Sequence, residues 1–223
     1  QATISMAELR EHLQPPTAIG SYAGFDSTTN VLYMGNRFIE RHILMNKGVP
    51  PIQTIRYTYK PSGHNYIDLP SEEFRFRIGK LTFSGNGATL TSDDHFEIEQ
   101  KTGGARRVTV QLTHTSAEGA KPIFHLRIHY EIYPDQPVIR KWLTIQNLTD
   151  SAFFLEDIEI ESLSFFAERT DSLQIGGSDL KEMKPAPWKD GSAEAFVIVH
   201  ASDIEGGVVL GNELGVAPRD EVE

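Results

Sequence analysis

The segment FHLRIHYEIY, residues 124–133, decides the fold class of this chain. Its apolar side chains occupy every second position, as Phe124, Leu126, Ile128, Tyr130 and Ile132. Successive side chains of a β-strand point to opposite faces, so the pattern predicts a strand with one face in the core and the other polar. Residues 134–137, PDQP, predict a turn, because proline fixes its own φ and aspartate bonds nearby backbone. Residues 138–146 then return as the second strand of a long hairpin.

Similar period-two runs, separated by Gly, Pro, Asn and Asp, extend over most of the chain. They predict further strands near residues 37–45, 52–59, 74–83, 88–90, 95–100, 107–114, 153–160, 163–166, 195–200 and 208–210. The glycine-rich segments 85–87 and 102–104 predict hairpin turns between several of these strands. We therefore expect an all-β fold, a large antiparallel two-sheet supersandwich that forms one domain over residues 1–223.

One segment near the N-terminus predicts a short helix. Residues 5–8, SMAE, match a capping box, in which the first and fourth side chains bond the free backbone amides of a helix start. Met6, Leu9 and Leu13 would share one face of that helix, and the two prolines at 15 and 16 end it. The helix is too short to be central, so we expect it at the periphery.

Composition excludes several classes of function. Among the 223 residues, 21 are basic and 31 acidic, which gives a net charge of −10, and no apolar run is long enough to cross a membrane. We therefore predict neither a nucleic-acid nor a membrane partner. The absence of cysteine excludes thiolate zinc sites and cysteine nucleophiles. Neither a glycine-rich phosphate loop nor an H-E-x-x-H motif occurs, so we predict no cofactor and no metal.

The two ends of the chain bear on its origin. The sequence begins with Gln1 rather than Met, as a mature protein does after removal of a signal peptide, so we predict a periplasmic or secreted location. It ends at Glu223 without a Gly/Ser tail or a block of charge. We therefore expect this chain to be a piece of a longer protein.

Two groups of residues are candidate carbohydrate contacts. His125 and His129 lie four apart on one strand, which separates them by about 13 Å, so they cannot share a metal ion. With Glu131 they could line a sugar-binding groove, or they could simply be polar residues on an outer sheet face. Trp188, beside Lys189 and Asp190 in a proline-rich loop, could stack on a sugar ring, or it could close one end of the sandwich.

The carboxylates do not predict a hydrolytic pair. A glycosidase needs two carboxyl groups about 5 to 9.5 Å apart at one centre. The runs 72–73, 93–94 and 156–161 instead have the appearance of turns and solvent-facing edges that supply negative charge. We predict no catalytic residue in this chain.

Three stretches of the sequence resemble a known family. Residues 130–147, YEIYPDQPVIRKWLTIQN, resemble the pattern Y-x-x-Y-x-D-x-P-V-I-x-x-W-x-x-I-x-N of the N-terminal domain of glycoside hydrolase family 36 α-galactosidases and their relatives. Residues 34–41, MGNRFIER, are similar to the early G-N-x-x-I-E-R strand of that domain. Residues 205–213, EGGVVLGNE, are similar to its late glycine-rich strand.

The resemblance implies a galactose-mutarotase-like β-supersandwich that precedes a (β/α)₈ barrel. In such enzymes aspartates at the barrel's strand ends carry out hydrolysis, and a barrel of about 250 residues does not fit in this chain. The chain would then be a non-catalytic N-terminal domain that packs against a C-terminal catalytic barrel, shares in homo-oligomer contacts and can contact a galactoside-like carbohydrate.

Two other functions remain open at this point. One is a free-standing carbohydrate-binding or assembly module. The other is an aldose epimerase that uses histidines as acid and a carboxylate as base. His125, His129 and Glu131 have suitable chemistry for the second function, but their spacing along one strand places them far apart for one ring carbon.

Overall fold

The computed structural model describes residues 20–46, 51–67, 69–87, 90–116, 121–164, 173–176, 184–185, 196–201 and 207–211. The chain divides into two compact units, Gln1–Phe165 and Phe166–Glu223. The regular structure of the described residues consists of antiparallel β-strands and a short 3₁₀ turn at Thr102–Gly104. The predicted all-β class is therefore confirmed, whereas the predicted N-terminal helix lies outside the described residues.

The strands are numbered here in chain order. The first unit contains β1 (Tyr22–Asp26), β2 (Val31–Gly35), β3 (Ile39–Met45), β4 (Ile52–Tyr59), β5 (His64–Asn65), β6 (Ser71–Glu72), β7 (Arg75–Ile78), β8 (Leu81–Ser84), β9 (Thr91–Gln100), β10 (Arg106–Thr115), β11 (Pro122–Ile132), β12 (Ile139–Asn147) and β13 (Leu155–Glu159). The second unit contains β14 (Leu173–Gly176), β15 (Lys184–Pro185), β16 (Phe196–Ala201) and β17 (Gly207–Gly211).

Three antiparallel sheets make up the described part of the first unit. One has the order β1-β2-β3-β4-β5, with β6 also paired to β4; the second has the order β12-β11-β10-β9; the third has the order β13-β7-β8. In the second unit the order is β15-β14-β16-β17. The predicted long hairpin is β11 and β12, which pair from Phe124 opposite Asn147 to Ile132 opposite Ile139.

All three sheets of the first unit contribute to one hydrophobic core. The alternate apolar residues of β11 that the sequence analysis identified are all buried in it. They pack with Leu32, Met34 and Ile43 of the first sheet and with Phe76 and Phe83 of the third. Because β11 buries its alternate apolar residues, the core-facing alternation of residues 124–133 was the correct basis for the fold class.

Some predicted strand and turn boundaries were wrong. The single strand predicted at 74–83 is the hairpin β7–β8, which reverses at Gly79 with φ of +58°, a conformation that glycine adopts easily. The segment 85–87 forms no hairpin turn, since β8 and β9 belong to different sheets. The predicted turn at Thr102–Gly104 is confirmed and joins β9 to β10.

Candidate functional site

The sheet β9–β12 has a polar outer face made by the residues that alternate with the core positions. This outer face consists of Arg107, Thr109, Gln111, Thr113, His125, Arg127, His129, Glu131, Arg140, Trp142, Thr144 and Gln146. It contains the two histidines that the sequence predicted as carbohydrate contacts. The outer face is therefore a candidate binding surface.

Both predicted histidines are bonded to neighbours across the sheet. His125 Nδ1 lies 3.0 Å from Thr113 Oγ1. His129 Nδ1 lies 3.0 Å from Thr109 Oγ1, and its Nε2 lies 3.1 Å from Thr144 Oγ1. The structure thus places both residues on one face but in separate cross-strand rows.

Trp142 is an aromatic member of the outer face. Its ring stacks on the His129 imidazole, with the ring centroids 4.9 Å apart and the planes at 14°. The guanidinium carbons of Arg107 and Arg140 lie 5.0 and 5.1 Å from the indole centroid, within cation–π range. This tryptophan was not predicted as a candidate contact, so its position beside these cations was missed. The available signal was that Trp142 follows Arg140 by two residues, which places both side chains on the same polar face of β12.

Glu131 joins the same group of side chains. Arg107 donates two hydrogen bonds to Glu131 Oε2, at 2.9 and 2.6 Å, and the Tyr133 hydroxyl donates to Oε1 at 2.9 Å. Burial raises the pKa of Glu131, but the hydrogen bonds from Arg107 and Tyr133 outweigh it and hold the pKa below its usual value. Glu131 is therefore a carboxylate at neutral pH.

The electrostatics of His129 favour its neutral form. Burial lowers the pKa of His129, and the positive charges of Arg107 and Arg127 lower it further. A neutral imidazole with an indole and two guanidinium groups beside it offers donors, acceptors and an aromatic surface. These are the kinds of group that recognise sugar hydroxyls and rings.

A second cluster of charged residues is buried on the inner side of the sheets. Arg41 of β3 is only 2% exposed and Glu73 is fully buried. Arg41 donates to both oxygens of Glu73 at 3.0 Å and to Glu161 at 2.7 and 2.8 Å. Lys141 of β12 donates to Glu73 Oε2 at 2.8 Å and to Glu161 Oε1 at 3.0 Å. We call these four residues the buried ion network.

Hydrogen bonds from neutral groups complete the network. The Tyr130 and Thr54 hydroxyls both donate to the Glu73 carboxylate, and Arg41 Nε donates to Thr54 at 2.8 Å. Burial raises the pKa of Glu73, yet the charges of Arg41 and Lys141 lower it far below its usual value. Glu73 is therefore ionised, and both oxygens of its carboxylate accept hydrogen bonds from protein side chains.

The network overturns part of the sequence interpretation. Glu72, Glu73 and Glu161 were expected at turns or solvent-facing edges, but Glu72 and Glu73 are buried and Glu161 is mostly so. Glu73 and Glu161 can be buried because Arg41 and Lys141, from distant strands, pair with them, whereas Glu72 pairs with Arg75, three residues along the chain. Glu156 and Glu159 are exposed, as expected.

A third polar cluster lies around β2 and β3. The Asn36 side chain donates to the carbonyls of Tyr133 and Gln136, at 2.6 Å each, and its Oδ1 accepts the backbone amides of residues 38 and 39. Glu40 accepts hydrogen bonds from the Tyr22 hydroxyl and from His42. Asn36 thus connects the β2–β3 turn to the β11–β12 turn.

The remaining predicted contacts, Trp188, Lys189 and Asp190, lie outside the described residues. Among the described residues, no three or more His, Asp or Glu side chains are grouped closely enough to hold a metal ion. No helix in the described part of the chain has the length and apolar character needed to span a membrane.

Comparisons with known proteins add no relative. A scan of protein-family models, a search of curated proteins and a search of solved structures each found no match to this chain.

Proposed function

We propose that this chain is the non-catalytic N-terminal β-supersandwich domain of an α-galactosidase-like glycoside hydrolase and supports a catalytic barrel elsewhere in the parent protein. The observation that carries the proposal is the contact between two of the family-like stretches. Asn36, from the stretch 34–41, hydrogen-bonds the carbonyls of Tyr133 and Gln136, from the stretch 130–147. A single amide side chain therefore bonds two residues that follow it by 97 and 100 positions in the sequence.

The buried ion network joins the same two stretches a second time. Arg41 ends the first stretch, and Lys141 and Tyr130 belong to the second. All three converge on the Glu73 carboxylate. Three positions that carry the resemblance, Asn36, Arg41 and Tyr130, are therefore buried framework positions, where a change leaves an unpaired charge or polar group. That is what a scaffold shared with the family requires.

The polar outer face favours a structural role for this chain over a hydrolytic one. A two-carboxylate hydrolase needs one acid to donate a proton and a second carboxylate close to the same sugar carbon. Glu131 is instead held by Arg107 and Tyr133, and its lowered pKa makes it a poor proton donor at neutral pH.

The natural gene beyond the codon for Glu223 tests the proposal. We expect an open reading frame that continues into alternating strand and helix patterns of a (β/α)₈ barrel, with aspartates at strand ends. A natural stop codon directly after Glu223 contradicts the proposal and favours a free-standing module.

Carbohydrate binding is a second candidate function, favoured by Trp142 on the outer face beside His129 and Arg107. The chain has two tryptophans, so fluorescence can assign a sugar to one of them. We expect galactose to change the emission of the Trp188→Phe variant if it binds beside Trp142, and that of Trp142→Phe if it binds beside Trp188. No change in either variant up to high millimolar galactose contradicts this function.

A further inference from the structure

The turn that follows β12 contains the pattern of an N-glycosylation acceptor. Residues 147–149, NLT, match Asn-x-Ser/Thr with a middle residue other than proline. None of the other six asparagines in the 223 residues is followed two positions later by serine or threonine. Because so short a pattern also arises by chance, the surroundings of Asn147 decide whether it can carry a glycan.

Asn147 lies in an exposed turn at the end of an edge strand. It is the last residue of β12, which is the outermost strand of its sheet among the described residues. Every residue from 146 to 152 is exposed. A glycan is bulky and hydrophilic, so its attachment point must face solvent. This turn meets that requirement.

Hydrogen bonds within the turn fix the Asn147 amide but use only part of it. Oδ1 accepts the backbone amide of Thr149 at 2.9 Å. The Thr149 hydroxyl lies 2.9 Å from the same oxygen and 3.0 Å from the Ser151 carbonyl. Nδ2 donates to the Ser151 carbonyl at 2.7 Å. A primary amide has two N–H groups, so Asn147 keeps a second one after its bond to Ser151.

The chemistry of glycan transfer needs only that second N–H. Nδ2 forms a bond to C1 of the first sugar, while the bond between C1 and the diphosphate oxygen of a lipid-linked donor breaks. The lipid diphosphate leaves with the electron pair of that bond, and the displaced Nδ2 proton passes to a base of the transferase. The Thr149 backbone amide, assisted by the hydroxyl, stabilises the negative charge that Oδ1 gains as Nδ2 loses its proton. The remaining N–H keeps its hydrogen bond to Ser151.

A buried asparagine of the same chain shows what the turn provides. Asn36 is 0% exposed, and its Nδ2 donates to the carbonyls of Tyr133 and Gln136 at 2.6 Å each. A sugar on Asn36 would replace one of those bonds and occupy the protein interior. Asn147 has neither obstacle, since its surroundings are exposed and its amide has a second N–H.

We propose that Asn147 is an acceptor for an N-linked glycan, which an oligosaccharyltransferase transfers from a lipid-diphosphate-linked oligosaccharide. The glycan projects from the end of β12 into solvent. The modification requires that the chain passes through a compartment that contains such a transferase, as glycosylated secreted proteins do. This inference is independent of the proposed function.

Glycan transfer to the purified, folded chain of residues 1–223 tests the proposal. The chain is incubated with a purified oligosaccharyltransferase and a lipid-diphosphate-linked oligosaccharide. Intact mass and a gel shift measure the modified fraction, and peptide mapping locates the modified residue. A synthetic peptide of residues 142–153, treated in the same way, presents the same pattern without the fold. Circular dichroism confirms that each variant of the full chain is folded.

Three variants of the full chain serve as controls. Thr149→Ala should lower the rate of transfer by about tenfold or more, because it removes the hydroxyl that completes the pattern. Thr149→Ser keeps a hydroxyl and should still be modified. Phe38→Thr in the Thr149→Ala background moves the pattern to Asn36, whose buried amide should stay unmodified in the folded chain.

The outcomes support or overturn the proposal. Modification of the folded wild type at Asn147, lost in Thr149→Ala and kept in Thr149→Ser, supports it. A folded chain that stays unmodified while the peptide is modified overturns it, because the turn is then inaccessible. Absence of modification in both the chain and the peptide overturns it as well. Equal rates at Asn36 and Asn147 overturn it too, since exposure would then have no part in acceptance.

Discussion

The first unit contains two clusters built from the same residue types in different surroundings. The buried ion network joins Arg41 and Lys141 to Glu73 and Glu161 on the inner side of the sheets. On the outer face, Glu131 pairs with Arg107, which keeps about a third of its side chain in solvent. Both clusters satisfy their carboxylates with guanidinium groups and a tyrosine hydroxyl.

The position of an ion pair, and not the pairing alone, determines how much the pair stabilises the fold. Water can replace a lost partner on the outer face, so an exposed pair contributes about 1 kcal/mol or less. In the core no water replaces it, and removal of one partner leaves an uncompensated charge that costs about 3–5 kcal/mol. The inner cluster is therefore a stability element, and the outer one is free to serve in binding.

The largest expected effect is that of Glu73→Gln. It removes the carboxylate on which Arg41 and Lys141 converge, so we expect the free energy of unfolding to fall by about 3–5 kcal/mol. Equilibrium urea denaturation measures it. The control is Glu72→Gln, whose partner Arg75 is half exposed and can be hydrated when unpaired. An equal loss in both variants would contradict the distinction between buried and exposed pairs.

Acid should weaken the inner cluster selectively. Burial raises the pKa of Glu73, but Arg41 and Lys141 lower it well below the value of about 4.3 that glutamate has in an unfolded chain. The stability from this carboxylate is then complete above about pH 5 and is lost as the pH falls toward the folded-state pKa. The stability difference between wild type and Glu73→Gln should shrink from pH 7 to pH 3. A difference that stays constant over this range would show that folding does not lower the pKa of Glu73.

The smallest effect belongs to the outer face. Glu131→Gln should lower the free energy of unfolding by about 1 kcal/mol, because solvent reaches the Arg107 guanidinium. The same urea measurement applies, and Thr144→Val serves as a control on the neighbouring strand. A decrease in the free energy of unfolding as large as that of Glu73→Gln would show that water reaches the outer face no better than the core.

Much of the fold could be predicted from the sequence because period-two alternation records burial locally. The β11–β12 hairpin and the strand at Ile52–Tyr59 were placed correctly for this reason. Strand β1 was not predicted, because a glycine such as Gly24 is more typical of a turn than of a strand. In the structure Gly24 lies beneath the Tyr33 ring, where an added Cβ would come within 2.3 Å of the phenol oxygen.

The buried ion network could not be predicted from local patterns. Arg41 and Lys141 stand at core positions of alternating strands, which signals a buried cation, but their partners are set by sheet packing. Arg41 reaches Glu73 and Glu161 across 32 and 120 residues of sequence. For the outer face, alternation predicted that His125 and His129 share a face, but not that cross-strand threonines bond both.

The most direct test of the proposed function is a comparison of aryl α-galactoside hydrolysis by this chain and by the intact parent protein. The account predicts that the parent releases the aryl alcohol and that the purified chain of residues 1–223, folded by circular dichroism, releases none above the buffer rate. Hydrolysis by the isolated chain would contradict the account and place the catalytic machinery within these residues.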